Sequence, residues 1–188
     1  MPNHCSNILK IKGKQEDLAK FKKLAAAIST EYDSITGKAK KEKTIMDFNK
    51  FIPYPKKYKD LDKAAAKYQR EHPNAFDAPK DGYNSGGYEW CINNWGTKWN
   101  AYEENLKEGR NMLTYAFTTA WSPPEKVLNK MATMFPKLNF KDTWCEEGGN
   151  KGVIELNEII KVEKTYKGLK PLSAVLKEYE KERKRMRS

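Results

Sequence analysis

The amino-acid sequence predicts an α+β domain in which two helices cover one face of a mostly antiparallel sheet. Three observations favour this fold class. Apolar and polar residues alternate near the N-terminus and again over residues 111–121, as in strands with one buried face. Each of these segments is followed by a stretch with apolar residues at helical spacing. Two further alternating segments near residues 138–160 complete a split βαβ pattern.

The N-terminal third of the chain predicts a strand, a helix and a second strand. Residues 2–12 alternate as a strand, and residues 16–29 carry apolar side chains at positions three and four apart, as one face of a helix. Residues 34–43 form a lysine-rich, glycine-containing segment that we expect to be a loop. Residues 45–52 are predicted as the second core strand, and Pro53 ends it.

The middle of the chain is dominated by a tryptophan-rich segment. Residues 61–71 predict a helix, and residues 73–87 are rich in Pro, Gly, Asn and Asp, which favour turns. Residues 89–101 then hold three of the five tryptophans, with helical spacing before Gly96 and strand-like alternation after it. We expect a helix that ends on a glycine C-cap and continues as an extended segment. Two interpretations stay open: rings packed onto the sheet, or a surface groove.

The C-terminal half predicts a strand, a helix and a hairpin. Residues 103–110 are polar and are expected to be a link, whereas residues 111–121 alternate most clearly as a strand. The segment Ser122-Pro123-Pro124-Glu125 has the pattern of a capping box, so we predict a helix from there to Phe135. Residues 138–146 and 152–160 are predicted to pair around a glycine turn.

This order of elements corresponds to a ferredoxin-like split βαβ sandwich. We predict that residues 1–160 form this domain, with an insertion at 53–110 between the second and third core strands. Residues 161–188 are predicted to form a linker and a basic C-terminal helix.

Composition limits the class of partner but does not choose one. The chain has 188 residues and a net charge of +11, which attracts polyanions, an anionic membrane surface or an acidic protein. No run approaches the roughly 18–20 apolar residues of a membrane span, and the N-terminus has no signal pattern, so we expect a cytoplasmic protein without a membrane partner. Cys5, Cys91 and Cys145 show no metal-ligand spacing and are expected to be reduced thiols, mostly in the core.

Four short segments carry a resemblance to a known family. They are Met-Pro-Asn-His-Cys-Ser-Asn at 1–7, Phe-Asn-Lys-Phe-Ile-Pro at 48–53, Asn-Trp-Gly-Thr-Lys-Trp-Asn-Ala at 94–101 and Thr-Ala-Trp-Ser-Pro-Pro at 119–124. In this order they resemble the YubB-type ferredoxin-like domain of phage and plasmid proteins. The resemblance covers roughly residues 1–160 and implies the fold and an origin in a mobile genetic element, but no activity. His4 stands where that family often has tryptophan.

The tryptophan-rich insertion predicts a protein interface. Tyrosine and tryptophan are the residue types that most often dominate binding energy at interfaces. The partner-binding candidates are Tyr83, Tyr88, Trp90, Trp95, Lys98, Trp99 and Tyr102. Small phage and plasmid proteins often bind and inhibit a host or defence factor, so by analogy we expect a host or defence protein as the first-choice partner.

Nucleic acid is the alternative partner. Lysines and arginines that could follow a phosphate backbone are Lys38, Lys40, Lys41, Lys43, Lys56, Lys57, Lys181, Arg183, Lys184, Arg185 and Arg187. Base stacking on the sheet is disfavoured, because the bulky residues of segment 111–121 share one parity and the opposite face carries Thr114, Ala116, Thr118 and Ala120.

The sequence favours a protein without catalytic residues, cofactor or metal. His4 and Cys5 are neighbours in a predicted strand, so their side chains point to opposite faces. Asp142, Glu146 and Glu147 lie near a glycine turn but lack the spacing of a calcium loop. Neither GxxxxGK[ST] nor GxGxxG occurs in the chain.

Overall fold

A computed structural model describes residues 3–32, 39–74 and 77–157 of the chain. Contacts between residues divide the chain into two units, Met1–Asn157 and Glu158–Ser188. Every described residue belongs to the first unit, so the predicted basic C-terminal helix lies outside the described residues. In the described part, no helix is both long and apolar enough to cross a membrane.

The described residues form seven strands and four α-helices. In chain order they are β1 (His4–Lys12), α1 (Gln15–Ala25), β2 (Ala27–Tyr32), β3 (Ala39–Thr44), α2 (Lys56–Glu71), α3 (Tyr88–Trp95), β4 (Tyr102–Gly109), β5 (Met112–Ala120), α4 (Glu125–Met134), β6 (Asn139–Glu146) and β7 (Lys151–Leu156). A 3-10 turn at Phe48–Lys50 and a π-helical turn at Tyr83–Gly87 complete the set.

Five strands form one antiparallel sheet in the order β4-β5-β1-β6-β7. The strands β1, β4, β5 and β6 are the four core strands of a ferredoxin-like fold, in the spatial order second, third, first, fourth. The fold is therefore α+β and ferredoxin-like, as the sequence predicted. The strand β7 extends the sheet beyond β6, as the partner of a hairpin.

The core lies on the face of the sheet that packs against α1 and α4. Along β1, buried and exposed side chains alternate as the pleat requires. The ring of Phe21, on α1, lies at the centre of the core and contacts the rings of Phe51, Tyr115, Phe135 and Phe140. Because rings from the helices, the sheet and the insertion meet there, the insertion shares one core with the sheet.

The predicted position of the second core strand was wrong. Residues 45–52, predicted as that strand, bend into the 3-10 turn, where Asp47 accepts a hydrogen bond from the backbone of Asn49. The strand is β4, over residues expected to be a polar link. The insertion therefore comes before the second core strand, over residues 26–101, and not at 53–110 between the second and third.

The hairpin of β2 and β3 also differs from the sequence prediction. We expected the first helix to continue to residue 29 and a loop to follow. The helix α1 ends at Ala25, whose carbonyl accepts a hydrogen bond from Asp47, and β2 pairs with β3 in a separate two-stranded sheet. The hydrogen bond between Ala25 and Asp47 fixes the end of the helix. Because the two residues are far apart in the chain, the local sequence pattern did not predict it.

The predicted capping box of α4 does not form. The hydroxyl of Ser122 donates to the carbonyl of Gly96 at 2.7 Å, and Pro124 precedes the first helical residue without a side-chain cap. This hydrogen bond ties the start of α4 to the end of α3, so the serine joins the insertion to the core domain.

Candidate functional site

The tryptophan-rich segment is anchored in the core by Trp95. This ring is buried, and its Nε1 donates to the carbonyl of Ile52 at 2.8 Å. Its neighbours are the rings of Phe48, Tyr54 and Trp90. Of the seven partner-binding candidates, Trp95 therefore has a packing role, and Trp90 is partly buried against the same cluster.

Directly after this anchor, Gly96 turns the chain outward. Its φ of +83° is the left-handed conformation that a glycine C-cap adopts, and the predicted end of the helix is confirmed. The helix α3 therefore stops at Trp95. Thr97 is buried and its hydroxyl donates to the carbonyl of Ala120, whereas Lys98 and Trp99 beyond it reach the surface. The turn at Gly96 thus lies between the buried ring of Trp95 and the exposed ring of Trp99.

The exposed part forms a group of rings around one lysine. The Nζ of Lys98 lies 4.8 Å from the ring centroids of both Trp99 and Trp121 and 5.8 Å from that of Tyr88. Trp99 is 37% exposed and Trp121 is 46% exposed, and Tyr102 contacts Trp99 edge to face. We call these five residues, Tyr88, Lys98, Trp99, Tyr102 and Trp121, the aromatic surface.

The member that sequence reasoning missed is Trp121. Its parity along residues 111–121 placed it with the buried residues of the strand, but β5 ends at Ala120 and Trp121 adopts φ of +71°. Its backbone N–H donates to the carbonyl of Asn3 at 2.9 Å, which holds the turned conformation. A non-glycine residue at positive φ is strained, and such strain clusters at functional positions. The Pro-Pro run that follows was the one sequence signal of a break in the strand.

Carboxylates lie next to the aromatic surface. Glu89 lines a pocket together with Lys98 and Trp121, and Glu103 and Glu147 are exposed close to Tyr102. Glu103 accepts a hydrogen bond from the Thr118 hydroxyl. The aromatic surface therefore has an acidic edge, although the whole chain is strongly basic.

His4 belongs to this edge and is separated from Cys5. The Nδ1 of His4 is 2.7 Å from the Tyr102 hydroxyl, and burial raises the pKa of Tyr102 above its ordinary value. Cys5 is buried on the other face of the sheet, where burial raises the pKa of its thiol to about 11. The thiol is thus protonated at neutral pH and is not paired with the imidazole.

The acidic residues near the glycine turn are separated as well. Asp142 is fully buried in the core, whereas Glu146 accepts hydrogen bonds from Asn3 and Asn150 and Glu147 accepts one from the backbone of His4. In the described part of the chain, no group of three His, Cys, Asp or Glu residues has the geometry of a metal site.

The other cysteines differ from one another. Cys91 is buried in α3, where burial raises the pKa of its thiol to about 12, and Cys145 is exposed on β6. All three thiols are free, and two of them are core residues, as expected.

The nucleic-acid candidates are spread over several surfaces. Lys41 and Lys43 line an open groove of about 680 Å³ together with Lys50 and the apolar residues Ala26, Ala27 and Ile28. Lys56 pairs with Asp60 on α2, and Lys57 lies 4.6 Å from the ring centroid of Tyr58. The remaining candidates have side chains outside the described part, namely Lys38, Lys40, Lys181, Arg183, Lys184, Arg185 and Arg187.

Four small residues of β5 were predicted on the face of the sheet opposite the helices, but Thr118 and Ala120 are buried. Thr114 and Ala116 reach this face, where they pair with Lys10 and Ile8 of β1. Along β5 it presents no aromatic ring, because the rings of Tyr115 and Phe117 are buried on the other face. RNA-binding ferredoxin-like sheets stack bases on exposed rings, and β5 offers no such ring on this face.

The fold and the aromatic surface together define a ferredoxin-like α+β domain with a large aromatic insertion. Residues 94–183 match a family model described as a ferredoxin-like domain in Api92-like protein. The match begins near the end of α3, spans β4 to β7 and covers slightly less than half of the chain. No curated protein and no solved structure matches the chain.

Proposed function

We propose that this chain is a non-catalytic binding protein that recognises a protein partner through the aromatic surface. One observation carries the proposal: Trp99 and Trp121 are both substantially exposed and both contact the same lysine. Tryptophan is among the residue types that most often dominate the energy of a protein interface. The strained backbone of Trp121 supports the same conclusion, because packing does not require the exposed ring.

The charges around the aromatic surface favour protein over nucleic acid as its partner. Glu89, Glu103 and Glu147 lie beside the rings and would repel phosphates. A protein surface with apolar and basic side chains complements both features. The proposal thus assigns different roles to the aromatic surface with its acidic edge and to the basic remainder of the chain.

The partner we propose is a host or defence protein inside the cell that carries the mobile element. Support comes from the resemblance of four sequence segments to YubB-type domains of phage and plasmid proteins. Inhibition by binding is a role that small proteins of mobile elements often have; this step is an analogy. The buried, protonated thiol of Cys5 and the engaged imidazole of His4 support a function without covalent catalysis.

The test is a pull-down from host lysate with the tagged full chain, with nuclease and at about 0.15 M and about 0.5 M salt. We expect one stoichiometric protein that survives both treatments. Its affinity should fall at least tenfold for Trp121→Ala, since a hot-spot residue contributes about 2 kcal/mol or more. Val153→Ala is the matched control, because Val153 is also exposed, at 53%, but lies on β7 at the opposite edge of the sheet. Equal loss in both variants, or none in either, would contradict the proposal.

Nucleic acid is the second candidate, and the groove lined by Lys41, Lys43 and Lys50 favours it. Binding there would be governed by charge, so log affinity should fall linearly with log salt concentration. Lys41→Glu with Lys43→Glu should weaken binding of single-stranded DNA evenly across sequences, and Trp121→Ala should leave it unchanged. Recovery of nucleic acid alone from the lysate, lost at about 0.5 M salt, would favour this candidate over the first.

A further inference from the structure

A small pocket opens beside the aromatic surface. Its volume is about 240 Å³, and it is lined by Tyr54, Asp62, Tyr83, Trp95, Lys98 and Trp99, with Cys91 and Asn100 completing the wall. A second pocket of about 260 Å³ shares Tyr83 and Lys98 with the first and includes Tyr88 and Trp121. Lys98 therefore lies between the two pockets, and both open next to the proposed interface.

The wall of the first pocket suits a flat ring. Four of its residues are aromatic, and Tyr54 and Trp95 already contact each other with centroids 6.0 Å apart. Aromatic rings prefer edge-to-face or offset contacts at such separations, so a ring that enters would make them with several walls at once. The volume is below that of typical cofactor and drug sites, which matches a single side chain.

Two hydroxyl groups of the pocket lining lack partners among the described residues. The hydroxyls of Tyr54 and Tyr83 are buried, and neither has a hydrogen-bond partner within the described part of the chain. Burial raises the pKa of Tyr83 to about 12, whereas the Trp99 side chain close to its hydroxyl acts in the opposite direction. One oxygen of Asp62 accepts the backbone N–H of Tyr83 at 3.0 Å, so this carboxylate is held at the pocket. Buried hydroxyls without partners cost free energy, which a ligand with its own hydrogen-bonding edge would recover.

We infer that this pocket accepts the phenol ring of a tyrosine side chain presented by the protein partner. The inference rests on the proposed function and adds the chemistry of the anchor. A phenol hydroxyl both donates and accepts, so it can donate to Asp62 and accept from a tyrosine hydroxyl of the wall. A phenylalanine ring would leave these groups unpaired. A nucleotide would bring phosphates close to the carboxylate of Asp62 in this pocket and that of Glu89 in the neighbouring pocket.

The test uses p-cresol, the side-chain analogue of tyrosine, with the full chain. Proton–nitrogen NMR spectra should show p-cresol shifting the indole signals of Trp95 and Trp99 with saturation in the millimolar range, roughly the affinity of a ligand with eight non-hydrogen atoms. Toluene should bind at least fivefold more weakly, because it lacks the hydroxyl. Uridine should cause no saturable shift. Equal binding of toluene, or binding of uridine in place of p-cresol, would overturn the inference.

Two variants locate the binding. Cys91→Leu should fill the pocket from its buried wall and reduce p-cresol binding at least tenfold. Asp62→Asn keeps an oxygen that accepts from Tyr83 but removes the charge, so it should retain the fold and weaken p-cresol severalfold while toluene is unaffected. Val153→Ala should bind p-cresol as the wild type does. If Cys91→Leu folds poorly, Asp62→Asn alone decides, and an unchanged affinity there overturns the inference.

Partner binding by Trp121→Ala and Cys91→Leu distinguishes this inference from the proposed function. If Trp121→Ala abolishes partner binding but Cys91→Leu does not, the aromatic surface is the interface and the pocket is not its anchor. If neither variant affects the partner, the proposed function itself fails.

Discussion

At the scale of single residues, the described core contains a buried carboxyl group without a hydrogen-bond partner. Asp142 is fully buried on β6 between strand neighbours Leu9 and Ile154, and neither of its oxygens has a hydrogen-bond partner among the described residues. Burial raises the pKa of Asp142 to about 7, against an ordinary value near 4. The folded state therefore binds a proton more tightly than the unfolded chain.

This shift predicts a loss of stability as the pH rises. Because the pKa of Asp142 is raised in the folded state, its protonated carboxyl contributes fully to stability below about pH 4. This contribution declines as the pH rises through about 7 and is absent above it. Asp142→Asn mimics the protonated group and removes the titration. We expect the variant to match the wild type near pH 4 and to be more stable by on the order of 2–4 kcal/mol at pH 8.

Urea unfolding at both pH values measures the difference. Asp60→Asn is the control, because the side chain of Asp60 is 53% exposed in its pair with Lys56 and should change stability by about 0.5 kcal/mol or less. A benefit of Asp142→Asn that is equal at pH 4 and pH 8 would show that ionisation of Asp142 is not the cause.

At the scale of elements, Gly96 links the helix α3 to the start of α4. Its φ of +83° disfavours any side chain, and a Cβ there would lie 3.3 Å from the backbone nitrogen of Glu125. Gly96→Ala should therefore lower the free energy of unfolding by about 2 kcal/mol, from backbone strain and close contact together. It should also disturb the aromatic surface, whose Lys98 and Trp99 follow this turn.

Gly149 provides the matched control for that substitution. It also has a positive φ, +94°, but a Cβ there would meet nothing within 4 Å. Gly149→Ala should cost only the backbone strain, about 1 kcal/mol. Thermal unfolding of both variants separates the two effects. A larger loss for Gly149→Ala would contradict the packing between α3 and α4 described above.

The elements that the sequence predicted well are those whose burial shows in their own pattern. In β5, Leu113, Tyr115 and Phe117 alternate with exposed or partly buried residues, and the strand was found within one residue of its bounds. The edge strand β4 was missed because Glu104 and Leu106 are its main inward residues, so it lacks an apolar alternation. Here Glu104 accepts hydrogen bonds from the backbone of Ile45 and Met46, a tertiary contact that no local pattern shows.

Tertiary contacts that no local pattern shows also limited the prediction of the candidate site. Sequence composition found the tryptophan-rich segment but could not separate buried Trp95 from exposed Trp99, because both fit their local periodicity. Trp121 lay outside the segment, and its exposure depends on a backbone turn held by Asn3 at the other end of the chain. Contacts between distant segments decide which rings are exposed, and a single sequence does not contain them.

At the scale of the whole molecule, the two units of the chain should separate the two candidate functions. The aromatic surface and the pocket lie within Met1–Asn157, whereas Glu158–Ser188 holds ten lysines and arginines against five glutamates. At the end of the first unit, the side chain of Asn157 donates to the carbonyls of Ala132, Phe135 and Leu138. This set of hydrogen bonds fastens the last described residue to the end of α4 and the start of β6.

A chain that ends at residue 157 keeps every described helix and strand and the hydrogen bonds of Asn157, so we expect it to fold. It should bind the protein partner as the full chain does, because the proposed interface is intact. Its affinity for single-stranded DNA should fall, and the dependence on salt should become shallower, since fewer cations remain to displace counterions. Calorimetry and parallel salt titrations of both chains measure these effects. Loss of the protein partner with an unchanged melting temperature would place the interface on residues 158–188 and remove the aromatic surface from the proposed function.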